Sequence, residues 1–427
     1  MHSGLSKSDT ARDSGEGRID GRSEVSVRRL LLVDSSLFSP LYAQHFASGM
    51  HLLGTEVTLA TRRLRSYEQL ATPCLDVRPV FYRLTEHGGD RWRTSRATKI
   101  LKALEHPLGW LAIRRLVSDL GIRLLHVSWS LIPAVDAAFL APLKARLGVF
   151  MTVHNADLLA HDMAEVSGRL GRWTQTWRRE HLLALVDGFV AHTDQAVESL
   201  QRFGIEAARI RLVRRPPYLL RPEGGVSAAG ADPDPGTGPL EILFFGSIKP
   251  YKGVDLLIEA GLALAARGGD FRITVAGRPF LDLDPLRARI EAAGARRHFR
   301  FDLDYIPDER LDDYLRSADL VVFPYREIDG SGALALAASY GRPIVASAVG
   351  VFAEPPVRDH VALIPAEDAG ALAAELHRLI ADPAARAGLA RRSATLAERL
   401  GDWRGYARAC LEFYRRRRPD VRECQST

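Results

Sequence analysis

The chain has 427 residues, of which 46% are hydrophobic and 26% charged, the composition of an ordinary globular protein rather than a disordered or fibrous one. Its length predicts two or three domains. The net charge of +6 is compatible with phosphorylated ligands, anionic lipid or nucleic acid. The sequence lacks the alternating basic and aromatic residues of a single-strand binder, so we expect no nucleic-acid partner.

Cysteine content and hydropathy restrict the location of the protein. Cys74, Cys410 and Cys424 are too few and too scattered for a disulfide framework or a zinc site. The sequence contains no run of 18 apolar residues, so no transmembrane helix is expected. Residues 1–26 are polar and lack the apolar core of a signal peptide, which predicts a disordered leader. We therefore expect a cytoplasmic protein.

Residues 27–220 are predicted to form a doubly wound α/β domain, because short apolar runs alternate with helical stretches. The first unit is a strand at 30–33, a polar loop, a helix at 42–53 and a strand at 56–60. Further strands are predicted at 124–127, 150–153, 188–191 and 209–213.

One predicted strand of this domain ends in His154, at the edge where doubly wound sheets bind ligands. Imidazole can donate or accept hydrogen bonds near neutral pH, so His154 is a candidate to contact a substrate. The alternative is a buried histidine that is hydrogen-bonded to the backbone. Asn155 and His161 follow in the next loop, and Ser36 lies in the loop after the first strand. These three residues are further candidates for the same site.

The second half of the chain repeats the alternation of strands and helices. Residues 221–239 are rich in Pro, Gly and Ala and predict a linker. Residues 240–401 predict a second doubly wound domain, and residues 402–418 contain an amphipathic terminal helix followed by a tail at 419–427. Four residues of that helix at helical spacing are predicted to lie in a core: Tyr406, Cys410, Phe413 and Tyr414.

A loop with two lysines follows the first strand of the second domain. It spans residues 246–253 and precedes an amphipathic helix at 254–266. Lys252 is a compact cation that can neutralise a phosphate at the carboxyl end of a strand. A solvated loop lysine is the alternative.

A second loop, residues 324–332, contains Asp329 and ends in the step Gly330-Ser331-Gly332. An alanine-rich helix is predicted directly after it, at 333–340. The free N–H groups and the positive end of such a helix attract phosphate, and an acid beside them can bind hydroxyls. Together the two loops predict recognition of a sugar that is joined to a diphosphate.

These loops resemble the C-terminal half of retaining glycosyltransferases of the GT-B fold, a group that includes bacterial mannosyltransferases and sucrose synthases. Gly246, Lys252 and Gly253 match the first signature of that family, but Ser247 stands where the family has an arginine. In the second signature Asp329 takes the place of the first glutamate. Ala337 takes the place of the second glutamate, which normally binds the ribose of the nucleotide.

The resemblance extends over residues 28–418. It implies the α/β GT-B fold, with two doubly wound Rossmann-like domains that face a central cleft and a terminal helix that packs back on the first domain. It implies transfer of a sugar from a nucleoside-diphosphate sugar to a carbohydrate, lipid-linked or polysaccharide acceptor with retention of configuration, the leaving phosphate itself taking the acceptor proton. No metal and no other cofactor is expected, because the lysines replace a cation.

The resemblance also assigns candidate residues. His154 and Asp329 are the catalytic candidates, with Asp329 on a hydroxyl of the donor sugar and His154 orienting that sugar. Glu354 corresponds to a donor-binding glutamate, although a surface salt bridge explains it equally well. The other predicted donor-binding residues are Gly246, Ser247, Lys249, Lys252, Ser331 and Gly332. The acceptor-side candidates are Ser36, Asn155 and His161.

Two alternatives belong to other functional classes. One is a sugar-nucleotide epimerase of the same fold, which would use carboxylates as proton shuttles and need no acceptor. The other is a non-catalytic, membrane-associated subunit, suggested by Ser247 and Ala337 where the family has charged residues.

Basic residues cluster in the first domain and at the end of the terminal helix. A solvated surface explains each cluster, and contact with an anionic membrane is the alternative, which would place the protein on the inner face of the plasma membrane. The clusters consist of Arg91, Arg93, Arg96, Lys99 and Lys102, of Arg114 and Arg115, and of residues 415–418.

Overall fold

The computed structural model describes residues 27–65, 68, 70, 72–86, 96–154, 180–220 and 238–421. The predicted leader, most of the predicted linker, and the candidates Asn155 and His161 lie outside the described residues, as do Arg91 and Arg93 and the side chains of Arg96 and Lys99. Within the described residues the named strands form two sheets, one in each half of the chain.

The first sheet has seven parallel strands in the order β3-β2-β1-β4-β5-β6-β7. Its strands are β1 Arg29–Asp34, β2 Glu56–Thr61, β3 Leu75–Pro79, β4 Leu124–Trp129, β5 Gly148–Val153, β6 Gly188–Ala191 and β7 Ile210–Leu212. The helices described in this half are α1 Pro40–His51, α2 Arg96–Asp119, α3 Pro133–Leu140 and α4 Asp194–Arg202.

The second sheet has six parallel strands in the order β10-β9-β8-β11-β12-β13. Its strands are β8 Leu240–Phe245, β9 Phe271–Ala276, β10 Phe299–Asp302, β11 Leu320–Phe323, β12 Ile344–Ser347 and β13 Ala362–Ile364. The helices of this half are α5 Val254–Ala265, α6 Asp284–Ala292, α7 Asp308–Ser317, α8 Gly332–Ser339, α9 Ala369–Ala381, α10 Pro383–Leu400 and α11 Trp403–Arg417.

The strand orders confirm the predicted class of two doubly wound α/β domains. In each sheet the order reverses at a switch point, between β1 and β4 in the first and between β8 and β11 in the second. Ligands of such sheets bind in the crevice outside the carboxyl ends of the strands at that point. The loops that follow β1, β8 and β11 contain most of the candidate residues.

One strand, β3, was not predicted from the sequence. Its residues LDVRP include two charges and a proline, and four of the five are not buried. It pairs with β2 alone at the edge of the sheet. Charged residues and proline are typical of exposed edge strands, and they remove the apolar pattern by which buried strands are recognised.

The terminal helix α11 packs on the first domain, mainly against α1. Its residues Tyr406, Cys410, Phe413 and Tyr414 are buried. The indole N–H of Trp403 donates to the carbonyl oxygen of Pro217 at 2.7 Å. The chain therefore ends in the domain in which it began.

A chain of buried hydrogen bonds joins α11 to the first sheet. The hydroxyl of Tyr414 lies 2.6 Å from Nδ1 of His126, and Nε2 of His126 lies 2.6 Å from the hydroxyl of Thr152. Thr152 in turn contacts the hydroxyl of Tyr42, which bonds to that of Tyr406 at 3.0 Å. Each polar group of this network has a partner, so its burial is compatible with a stable core.

None of the helices in the part of the chain that the structure describes combines the length and the apolar character needed to cross a bilayer.

His126 makes the stability of the first domain depend on pH. Burial lowers the pKa of His126 to about 3. Below pH 6.5 the unfolded chain gains a proton there that the folded chain cannot bind, so stability is full above that pH and falls towards pH 3, by roughly 1.4 kcal/mol per pH unit. Between pH 7 and pH 5 the wild type should lose about 2 kcal/mol more than His126→Gln, measured by urea unfolding. Asp34, with a raised pKa of about 6, shifts stability in the opposite direction in both proteins. Parallel pH profiles would contradict this account.

Candidate active site

The two polar loops of the second domain meet at the carboxyl edge of its sheet. Gly253 has φ +67°, and a Cβ atom there would lie 1.9 Å from the carbonyl oxygen of Pro324. The N–H of Arg326 donates to the carbonyl oxygen of Tyr251 at 2.7 Å. A side chain at position 253 would separate the loops, so the close approach requires glycine.

A bidentate ion pair holds these loops together. The guanidinium of Arg326 donates to both carboxylate oxygens of Asp255, at 3.0 and 2.6 Å. The same guanidinium donates to the carbonyl oxygen of Pro250 at 2.9 Å. This arginine of the second loop therefore fixes the first loop and the start of α5.

Lys252 is buried rather than solvated, with 8% of its surface exposed. Its Nζ lies 5.3 Å from the ring centre of Tyr325 and beside Gly246, where a Cβ atom would be 3.3 Å away. Burial, followed by the nearby charge of Lys249, lowers the pKa of Lys252 to about 8. Among the described residues no carboxylate lies within ion-pair distance of this ammonium group. Such a site favours an anionic ligand.

The other loop residues lie around this cation. Lys249 is half-buried, and its Nζ lies 5.7 Å from the ring centre of Phe280. Ser247 is half-buried in the same loop.

The second loop ends in the cap of α8. The hydroxyl of Ser331 accepts a hydrogen bond from the N–H of Leu334 at 3.0 Å, so this side chain caps the helix. The N–H groups of the first turn, beginning at Gly332, have no acceptor within the helix and carry its positive end. Asp329 is half-buried in the loop before the cap, and Ala337 is fully buried.

His154 is buried on the other side of the cleft, in the first domain. Its Nδ1 accepts a hydrogen bond from Arg215 at 2.8 Å, so the proton of the neutral ring is on Nε2, which lies 3.2 Å from the hydroxyl of Ser128. Its ring stacks on Trp129 with centroids 4.6 Å apart. Burial, followed by the charge of Arg215, holds the pKa of His154 well below its usual value. Both hydrogen-bond partners of His154 are side chains, whereas a purely structural histidine was predicted to bond to the backbone.

His154 and the second loop approach each other across the cleft. A Cβ atom on Gly330 would lie 3.4 Å from the carbonyl oxygen of His154. The structure therefore brings His154 next to Gly330 and the cap of α8.

Glu354 joins the two domains by hydrogen bonds. Its carboxylate accepts from the N–H groups of Asp194 and Gln195, both at 3.0 Å, and from Nη1 of Arg214 at 2.6 Å. It thus caps α4 of the first domain from the second. A surface salt bridge was the alternative to a donor-binding role for Glu354. The observed salt bridge to Arg214 joins the two domains across the cleft.

The loop after β1 contains Ser36, and β1 itself ends in a buried acid, Asp34, that sequence analysis missed. Burial raises the pKa of Asp34 to about 6, and its Oδ1 accepts from the N–H of Phe38 at 3.3 Å. The carbonyl oxygen of Ser36 accepts from Nε of Arg62 at 2.9 Å. An acid at the end of the apolar run 30–33 was the available signal for Asp34.

Two family models match the chain. The model of the glycosyl transferase 4-like domain matches residues 40–216, and that of the glycosyl transferases group 1 matches residues 239–382. The chain belongs to the group 1 glycosyltransferases of the GT-B fold.

A relative agrees with this membership. A D-inositol 3-phosphate glycosyltransferase of Kineococcus radiotolerans is 29% identical over 64% of this chain and 66% of its own length. The chain thus spans just under two thirds of that relative's length.

Two solved structures share the fold of this group 1 chain. Sucrose-phosphate synthase from Thermosynechococcus elongatus superimposes with a TM-score of 0.68 at 19% identity, covering 91% of this chain and 98% of that one. Anabaena HepE in complex with UDP and glucose gives 0.64 at 15% identity, covering 90% and 98%.

Arg215 and His192 are the other site residues of this group 1 chain that sequence analysis missed. Both line a narrow cavity between the domains together with Ser331. The available signal was the pair Arg214-Arg215 just after β7, close to the boundary between the domains.

In the part of the chain that the structure describes, there is no group of three or more His, Cys, Asp or Glu residues arranged to hold a metal ion.

Proposed function

We propose that this protein is a glycosyltransferase that moves a hexose from a nucleoside-diphosphate sugar to a carbohydrate hydroxyl with retention of configuration. The observation that carries the proposal is the buried ammonium of Lys252, which lies at the switch point of the second sheet without a carboxylate partner among the described residues. A diphosphate supplies the missing negative charge. Family membership supports the same reaction class, and one solved neighbour was crystallised with UDP and glucose.

The proposed chemistry is electrostatic. Lys252, with Lys249 close by, and the first-turn N–H groups of α8 stabilise the charge that grows on the leaving diphosphate. Asp329 holds a hydroxyl of the donor sugar. The leaving phosphate takes the proton of the acceptor hydroxyl, so that attack and departure occur on the same face of the sugar.

His154 is proposed to orient the donor sugar from the first domain. The ring is held neutral between Arg215 and Ser128. Its position is therefore set before the substrate arrives, and its carbonyl oxygen faces Gly330 of the donor loop.

The acceptor is proposed to be a lipid-linked sugar or a polysaccharide precursor at a membrane surface. The described helix α2 exposes a stripe of aliphatic side chains. They recur at helical spacing and so share one face: Ile100 (56% exposed), Leu101 (55%), Leu104 (71%), Leu108 (52%) and Leu111 (43%).

The charges around this stripe differ from the predicted basic face. Lys102 points to the domain and forms an ion pair with Glu86 at 2.5 Å, so its charge is already compensated within the domain. Arg114 and Arg115 are exposed near the C-terminal end of the stripe. Apolar side chains flanked by cations suit the interface of an anionic bilayer.

The first prediction tests the diphosphate site. Lys252→Met should lower kcat by 30- to 1,000-fold, since loss of one such charged contact costs roughly 2–4 kcal/mol of transition-state stabilisation. Arg287→Met, which removes an exposed cation of the same domain, should leave the rate unchanged. In the wild type, affinity for a nucleoside diphosphate should fall as pH rises through about 8, where Lys252 loses its proton. Near-normal turnover of Lys252→Met at saturating donor would remove this lysine from the site.

A second prediction concerns metal. We propose that the fixed cations and the helix end replace a divalent ion, so transferase activity should survive excess EDTA. Loss of activity that magnesium or manganese restores would contradict the proposed site.

A third prediction concerns the stripe on α2. The wild type should float with anionic liposomes at low salt and be released as salt screens the arginines. The double change Leu104→Glu and Leu108→Glu should abolish flotation, whereas Leu52→Glu, at another exposed leucine of the first domain, should not. Equal flotation with neutral vesicles, or none by the wild type, would leave α2 as ordinary surface.

A further inference from the structure

A cation of the first domain lies at the start of α8. Arg215 follows β7 by three residues, and its Nη2 donates to Nδ1 of His154 at 2.8 Å. A Cβ atom on Gly332 would lie 3.6 Å from its Nη1. The guanidinium thus extends from a histidine of the first domain to the first turn of a helix in the second.

The charge of Arg215 is not balanced by a carboxylate. The preceding residue, Arg214, pairs with both Asp194 and Glu354. For Arg215, by contrast, no carboxylate of the described residues lies within ion-pair distance, and its Nε is buried without a hydrogen-bond partner. Burial is the main cause of the lowered pKa of His154, and the charge of Arg215 is the second. A half-buried guanidinium without an anion is costly, so the site favours one.

His192 provides a second, independent sign of a ligand. It is 3% exposed, and its Nδ1 lies 3.0 Å from the carbonyl oxygen of Val213, to which it donates. Its Nε2 is therefore an acceptor, and it is buried without a partner in the wall of the cavity that Arg215 and Ser331 also line. Buried polar atoms left unsatisfied in a cavity mark the place of a polar ligand.

We propose that Arg215 binds the diphosphate of the donor at the N-terminus of α8 and supplies the positive charge that the family carries at the position of Ser247. The positive end of α8 and the guanidinium face the same point, and an anion between them satisfies both. The Nε2 atom of His192 accepts a hydroxyl of the same ligand. The inference rests on the proposed transferase function and adds a residue of the first domain to the donor site.

This arrangement makes one guanidinium serve two purposes. Arg215 fixes the tautomer of His154 through Nδ1 and holds the diphosphate through its remaining N–H groups. Because the other phosphate-binding groups belong to the second domain, the donor site is complete only where the two domains enclose it.

The test compares affinities measured by calorimetry on the full-length chain. UDP, GDP and ADP are the diphosphate probes, and the nucleoside of whichever binds is the uncharged control. Arg215→Gln should weaken binding of the diphosphate by about tenfold to a hundredfold, the range of a hydrogen bond to a charged group. It should leave binding of the nucleoside unchanged, and Arg215→Lys should restore part of the loss. Arg211→Gln, an exposed arginine on β7, is the matched control.

The outcomes separate this inference from the proposed function. Equal weakening of diphosphate and nucleoside, or no weakening of either, would overturn the role of Arg215 alone. If Arg215→Gln abolished binding of inorganic phosphate but left the affinity for the diphosphate intact, the inference would also be overturned. Arg215 would then bind the phosphate of a different substrate. Failure of the wild type to bind any of the three diphosphates would overturn both the inference and the proposed donor.

Discussion

Uncompensated positive charge at the cleft is the constraint on which this structure depends. The ammonium of Lys252 is buried, the guanidinium of Arg215 has a buried Nε atom without a partner, and the N-terminus of α8 adds a partial charge of the same sign. Burial of unpaired charge opposes folding, and proteins retain it where a ligand of opposite charge binds. The rest of the fold holds these groups close together in spite of their mutual repulsion.

Backbone contacts provide much of that restraint. Gly253 permits the loop of Lys252 to touch Pro324, and Gly350, with φ +46°, permits the next loop to approach Ile328, where a Cβ atom would lie 1.4 Å from the carbonyl oxygen. The ion pair between Arg326 and Asp255 is a third restraint on these loops. Because these contacts involve backbone and a bidentate pair, the loops have little freedom to relax away from one another.

Two features connect the domains on either side of the cleft. Helix α11 returns to the first domain and is bound there through His126, Thr152 and three tyrosines. Nearer the site, Glu354 of the second domain caps α4 of the first. The return of the chain fixes which faces oppose each other, and the cap places the loop after β12 against the first domain beside Arg214.

The sequence by itself determined the two doubly wound domains and the polar loops that contain Lys252 and Asp329. Buried parallel strands are continuous apolar runs, and loops at their carboxyl ends are recognisable from glycine, serine and charge. Only the tertiary structure decided that Glu354 bridges the domains, that Lys102 faces inward and that Arg215 reaches α8. The physical reason is that a charged side chain looks the same in sequence whether it is paired or unpaired. Its partner, or the lack of one, depends on residues distant in the sequence, as Glu354 and Asp194, 160 positions apart, show.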